Sequence, residues 1–414
     1  MIKINPERLM HRLNQLAEIG RDPNGGWTRY SFTEEYRDAC SLVKTWMEEI
    51  GMTASFDAAG NLIGRLEGSD PKAPAVALGS HIDTVQNGGM YDGCFGVLGA
   101  LEVAQTIAEH RIPHAHPLEI FVFAEEEGSR FGAGLLGSKA VIGKIDRNFL
   151  YQHKDAEGNS IAEGFRAMGF NPDRIEEARR PADHFKCYLE MHIEQGNVLD
   201  THKERIGIVE GISGYIWLEA TIHGKADHAG ATPMELRSDA LIPAAVLIQK
   251  AERIAKETGP ATVITVGRLR IRPGNINVVP GTVTLTFDIR DLCMEQVEQA
   301  AEAVKRAFRE VCAERKVTGE IRETIRSEAS PLSASLADCL ERAAKKTGAP
   351  CRRMVSGAAH DAQMMARITD TAMLFVPSKD GISHSPKEWT DPEDLAVCTQ
   401  ALLYAVTELS GSGT

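Results

Sequence analysis

Four short polar segments, each following an apolar run, carry the residue types that hold metal ions and move protons. The first is Gly79-Ser80-His81-Ile82-Asp83-Thr84-Val85, followed by Asn87-Gly88-Gly89-Met90-Tyr91-Asp92-Gly93. His81 can ligate a metal through one ring nitrogen. Asp83, two residues on and on the same side of an extended segment, can hold the other. Asp92 stands in a glycine-flanked loop, where one carboxylate can reach two cations. The second segment is Ala124-Glu125-Glu126-Glu127-Gly128-Ser129-Arg130-Phe131, whose adjacent carboxylates repel unless a cation or Arg130 compensates. The third is Glu190-Met191-His192-Ile193-Glu194-Gln195-Gly196, and the fourth Gly381-Ile382-Ser383-His384-Ser385-Pro386. Each alone has a plainer reading: a strand-ending histidine, a turn aspartate, a solvated acidic loop. Together they point to a metal centre. Imidazole with carboxylate suits zinc, manganese, cobalt or nickel rather than calcium.

Open α/β sheets put their sites at the ends of buried strands, and the elements here run accordingly. Helices are expected over Glu7 to Ile19 and after Thr33, where Ala39, Leu42, Val43, Trp46, Met47 and Ile50 recur at helical spacing. Strands follow at Leu62 to Leu66, Ala75 to Leu78 and Leu118 to Ala124, with a helix over Gly96 to Glu109 between the last two. This alternation predicts a largely parallel sheet covered on both faces. From Gly211 the pattern becomes βαββαβ: Tyr215 to His223, Ala240 to Lys256, Val263 to Ile271, Thr282 to Arg290, Glu295 to Glu314 and Val317 to Glu323. That order is the ferredoxin-like unit. After Ser327 the alternation resumes with a helix over Ser333 to Lys346, strands at Arg352 to Val355 and Ala372 to Val376, and a closing helix from Pro392. The reading is a main domain, 1–210 with 329–414, interrupted by a smaller one at 211–328. Only Ser410 to Thr414 reads as a loose tail.

Composition narrows the function classes. The 414 residues carry 46 Lys+Arg against 58 Asp+Glu, a formal charge of −12 that argues against nucleic-acid and anionic-membrane partners. Apolar residues at 43% and charged residues at 25% are those of an ordinary soluble globular chain. No apolar run reaches the roughly 18 residues of a membrane span, and Met1 to Glu7 lacks the apolar core of a secretory signal. Eight scattered cysteines without a C-x-x-C pair read as reduced core residues, and the expected location is cytoplasmic.

Taken in order, the motifs resemble the M20 metallopeptidase superfamily. More closely they resemble its amidase/hydantoinase/carbamoylase branch: N-carbamoyl-L-amino acid hydrolases, β-ureidopropionases and allantoate amidohydrolases. The likeness covers almost the whole chain, adding H-A-G-A-T-P-M at 228–234, N-V-V-P-G at 277–281 and S-G-A-A-H-D at 356–361. It implies a three-layer α/β/α catalytic domain with an inserted ferredoxin-like α+β lid, a homodimer formed through that lid, and two divalent ions per subunit. By the same resemblance, His81, Asp92 and His192 surround one ion, while Asp92 bridges to a second held with Glu127 and His384. Glu126 is then the general base for a bridging water. His228, assisted by Asn277, donates to the oxyanion, Arg290 forks the substrate carboxylate, and Gln195 and His360 touch the ureido group. On residue type alone, Arg290 reads as a surface cation paired with Asp288 or Asp291, and His228 as a loop histidine paired with Asp227.

The implied reaction is hydrolysis of an N-carbamoyl-L-amino acid to the amino acid, CO2 and ammonia. Allantoate amidohydrolase is the alternative with the same site. An aminopeptidase or dipeptidase is disfavoured, because peptidase members usually place a carboxylate where His192 stands. A non-catalytic binding homologue is disfavoured by the presence of Glu126 and all five ligands.

Overall fold

Seven consecutive buried residues, Ala75–His81, form a strand in the middle of the larger sheet. The computed structural model describes residues 2–411. In chain order its strands are β1 (Thr53–Phe56), β2 (Leu62–Leu66), β3 (Ala75–His81), β4 (Leu118–Phe123), β5 (Phe185–Ile193) and β6 (Ile206–Ile212). Next come β7 (Gly214–His223), β8 (Asp227–His228), β9 (Val263–Arg272), β10 (Val278–Val279), β11 (Thr282–Asp291) and β12 (Thr318–Ser327). β13 (Ser330–Pro331), β14 (Cys351–Ser356) and β15 (Thr371–Val376) complete the set.

The larger sheet is ordered β1-β2-β4-β3-β5-β15-β6-β13, with β14 also on β6. β4, β3, β5 and β15 are mutually parallel, whereas β1, β2, β6 and β13 join antiparallel. The expectation of a largely parallel sheet therefore holds for the centre only. β3, β4 and β15 are buried at every residue, which requires cover on both faces and gives the α/β/α layering. Helices Cys94–Glu109, Ala334–Thr347 and Pro392–Ser410 pack among these strands. Thr33 caps Glu34–Glu49, its hydroxyl accepting from the Tyr36 amide at 3.3 Å.

Several elements escape sequence reading for local reasons. β1 has four residues, β6 contains two glycines, and helices Leu136–Val141, Arg147–Gln152 and Ile161–Ala167 are too short to show a period. Ser410, expected in a tail, is a buried helical residue whose carbonyl accepts from Ala115; residues 412–414 lie outside the described residues.

The chain folds as two compact units, one being Gly211–Pro331 and the other the described residues on either side. The smaller unit carries an antiparallel sheet ordered β12-β7-β11-β9. Alternating inward residues of β7 and β11, Ile216 to Ile222 and Val283 to Ile289, pack with Leu247 and Ala251 of helix Leu241–Thr258 and Val304 and Phe308 of helix Met294–Glu314. Tyr215, Trp217, Asp288 and Arg290 occupy the alternate positions, hence the opposite face. Among the described residues, no helix is long and apolar enough to cross a membrane.

Candidate metal centre

β3 ends in His81 and β5 carries His192 one residue before its end, inside the strand rather than beyond it. His81 Nδ1 lies 3.0 Å from the Asp83 carbonyl, and His192 Nδ1 lies 3.0 Å from the Ile193 carbonyl. A carbonyl only accepts, so each Nδ1 carries the proton and each Nε2 turns its ring edge to Asp92. His192 Nε2 is 3.2 Å and His81 Nε2 3.6 Å from Asp92 Oδ1, while His384 Nε2 is 3.3 Å from Asp92 Oδ2. One carboxylate thus faces three imidazoles. Glu127 Oε2 stands 3.6 Å from His384 Nε2, and Glu126 Oε2 stands 3.6 Å from His81 Nε2.

Asp83 touches more than the His81 ring. Its carboxylate, 3.5 Å from His81 Nδ1, accepts the amides of Glu126 at 3.3 Å and Glu127 at 3.1 Å, so it steers the glutamate loop as well as the ring. Arg130 does not neutralise the three glutamates by contact. It donates to the Ser31 and Phe32 carbonyls and pairs with Asp155 at 3.3 Å. Glu125 turns away from the centre, accepting from the Phe131 amide. Glu125, Gln195 and His384 all have left-handed backbones, with φ of 54, 60 and 52°; such strain clusters at functional sites.

The electrostatics fit a cation. Burial, then the charge of Asp92, pushes Glu127 up to about 8. Burial, with Glu127 and Asp361 adding, raises Glu126 well above the ordinary carboxylate range. Burial opposes the charge of Asp92 too, but His192 and His384 hold its pKa well below normal. Glu127 Oε1 is buried without a hydrogen-bond partner. A buried, orphaned carboxylate oxygen among imidazoles is the donor chemistry of a divalent transition metal. The donor atoms of His81, Asp92 and His192 lie within 4.8 Å of one another, as do those of Asp92, Glu127 and His384.

The expected substrate residues fall in different places. Gln195 Nε2 donates to Asp92 Oδ2 at 2.8 Å and lies 3.3 Å from His384 Nε2. His360 is buried, its ring edge-on to His192 at 4.5 Å and its Nε2 2.9 Å from Ser356 Oγ. Arg290, His228 and Asn277 belong to the smaller unit. Arg290 pairs with Asp288 at 2.7 Å and lies 5.1 Å over the Tyr215 ring. His228 Nδ1 accepts the amides of Gly230 and Ala231 at 3.1 and 3.0 Å, which leaves Nε2–H as its donor. Asp227 accepts the His228 backbone amide, not its ring. The Asn277 carbonyl accepts the Ala229 amide, and β10 pairs Val278 with His228, so Asn277 and His228 are neighbours. Sequence reasoning passed over Glu190, which accepts from Ser80, Tyr188 and the Ala362 amide beside His192, and Glu388, four residues after His384. The signal was available only as proximity to a motif histidine.

Known proteins share this sequence and fold. The model of peptidase family M20/M25/M40 matches residues 77–408. The chain is 45% identical to an N-carbamoyl-L-amino acid amidohydrolase of Geobacillus stearothermophilus, over 98% of this chain and 99% of that one. It is 35% identical to an allantoate amidohydrolase of Bacillus subtilis, over 95% of each. A solved amidase of the hydantoinase/carbamoylase family from Burkholderia multivorans superposes with a TM-score of 0.96, at 32% identity over 100% of both chains.

Proposed function

The chain belongs to peptidase family M20/M25/M40, in its hydantoinase/carbamoylase branch, and is a hydrolase of C–N bonds; we propose that its substrate is an N-carbamoyl-L-amino acid. The observation that carries this reading is the third donor of the first ligand set, His192, an imidazole 3.2 Å from Asp92. His81, Asp92 and His192 would hold one divalent cation, and Asp92, Glu127 and His384 a second; manganese, zinc, cobalt and nickel suit these donors. Cations bound there supply an acidified water and a polarised carbamoyl oxygen.

The chain's own residues do the rest. Glu126, poised beside His81, takes the proton of the attacking water and passes it to the departing amino nitrogen as the C–N bond breaks. The carbamate released falls to CO2 and ammonia. His228 Nε2–H, fixed as a donor by the two amides on Nδ1, meets the oxyanion with Asn277 beside it. Arg290 exchanges Asp288 for the substrate carboxylate, and Gln195 and His360 hold the ureido end.

One copy of the smaller unit cannot bring Arg290 and His228 to one small molecule. Arg290 pairs with Tyr215 at one end of β7, and His228 lies beyond His223 at the other. The eight residue steps from Tyr215 to His223 span about 26 Å at strand rise. Each site would then take these two residues from different subunits of a homodimer. Eight free cysteines, most of them buried, fit a cytoplasmic enzyme.

The test is a panel: metal-loaded enzyme against N-carbamoyl-L-methionine, N-carbamoyl-β-alanine, allantoate and a dipeptide, with ammonia and amine both followed. Preference for N-carbamoyl-L-methionine supports the reading; preference for allantoate replaces it with the second assignment, which rests on the Bacillus subtilis relative.

A further inference from the structure

Asp92 rides on the loop between β3 and helix Cys94–Glu109, whereas His384 rides on the loop between β15 and helix Pro392–Ser410. Asp92 Oδ2 and His384 can share an ion only if the two loops stay in register. Glu388 lies between them, 4% exposed. Its Oε1 accepts the amides of Tyr91 at 2.9 Å and Asp92 at 3.1 Å, and its Oε2 is 3.1 Å from Ser383 Oγ. Ser383 Oγ is also 3.1 Å from Asp92 Oδ2, so one hydroxyl proton serves two carboxylates. The first loop is cut to fit: a Cβ at Gly89 would lie 2.0 Å from Glu388 Cδ.

We propose that Glu388 is the positioning residue of the second cation site, clamping the Asp92 loop to the His384 loop. The inference rests on the reading of Asp92, Glu127 and His384 as ligands of one ion. The clamp works by accepting amide protons, not by charge. Glutamine would keep an oxygen on both amides and turn its Nε2 toward Ser383, whose hydroxyl then donates to Asp92 alone. Partners of this kind, one bond behind a ligand, are typically worth about 10- to 100-fold in metal affinity.

The experiment titrates chelated wild type, Glu388→Ala, Glu388→Gln and Gly89→Ala with manganese or zinc, reading stoichiometry and the affinity of each ion. Melting temperature is followed in parallel. Wild type should bind two ions. Glu388→Ala should keep the first at wild-type affinity and weaken the second about 10- to 100-fold, with Glu388→Gln returning most of that loss. Gly89→Ala should copy Glu388→Ala, and become neutral when both substitutions are combined, because the clash partner is gone. Should Glu388→Ala fail to fold, the glutamine and Gly89 arms still decide. Two ions at wild-type affinity in Glu388→Ala or in Gly89→Ala would overturn the clamp, and so would a Glu388→Gln as weak as Glu388→Ala. A wild type that binds fewer than two ions overturns the two-cation reading itself, a result distinguishable from either.

Discussion

Asp92 divides its oxygens between two groups of donors, Oδ1 toward His81 and His192 and Oδ2 toward His384. Neighbouring glutamates part in direction, Glu126 meeting His81 and Glu127 meeting His384, and the proposed function gives them different roles. Glu126→Gln should keep both ions and lower turnover on the order of 10² to 10⁴, the usual worth of a general base. Glu127→Ala should lose the second ion. Elemental analysis beside kcat separates them, and the opposite pattern would mean the pair is assigned backwards. Arg290 is paired with Asp288, which a substrate carboxylate would replace on the proposed reading. A lysine supplies a point charge but no planar fork. If Arg290 forks the substrate carboxylate as proposed, Arg290→Lys should lower kcat as well as raise KM. A change in KM alone would make the arginine a uniform binder.

Of the five proposed ligands, His81 and His192 sit on strands, and Asp92, Glu127 and His384 sit on the loops that follow strands. β3 is buried throughout and stops at His81, and β5 runs parallel to it with His192 near the same end. The turn into helix Cys94–Glu109 must bring Asp92 under these rings, and Gly93 makes the approach possible. Its φ is +64°, and a Cβ there would lie 2.4 Å from the His81 ring. Gly132 has a similar φ of +66° with nothing within 4 Å of a Cβ, so it isolates the backbone cost. Gly132→Ala should cost about 1–2 kcal/mol of stability and leave metal content intact. Gly93→Ala should cost more and lose the first ion. Denaturant melts with metal analysis on both variants check this; equal metal content would show that the His81 contact is not limiting.

At the scale of the molecule, Arg290 pairs with one end of β7 and His228 lies in the chain beyond its other end, so the proposed function takes the two from different subunits. Inactive His228→Ala and Arg290→Ala proteins, unfolded together and refolded, should then recover about one quarter of wild-type turnover. Half of the dimers are mixed, and each mixed dimer has one site with both residues intact. If both residues came from one subunit, mixing would recover nothing. Chelation should leave the circular dichroism spectrum folded and abolish turnover, with manganese, cobalt, nickel or zinc restoring it. A cation at 100 times its Kd adds about 2.7 kcal/mol per site, so chelated protein should also melt earlier. Full turnover from protein free of metal by elemental analysis would end the metal reading.

The polar clusters of the centre are legible along the chain because each follows an apolar run, and that feature is local. The choice of His81, Asp92, Glu127, His192 and His384 as the ligand set is what the family resemblance implies, and the βαββαβ order is visible as a change of period. What the chain does not display is direction and pairing across distance. Arg130 beside three glutamates looks like their counter-ion, yet the fold spends it on Ser31, Phe32 and Asp155. Asp83 looks like a support for His81 alone, yet most of its hydrogen bonding goes to the glutamate loop. Glu388 has no motif of its own; it matters because sheet order brings residues almost 300 positions apart into one hydrogen-bonded clamp. The antiparallel flanks of the sheet and the separation of Arg290 from His228 follow likewise from register. Period and residue type are set by neighbours in sequence, whereas register is set by which buried faces must meet, and only the folded chain decides that.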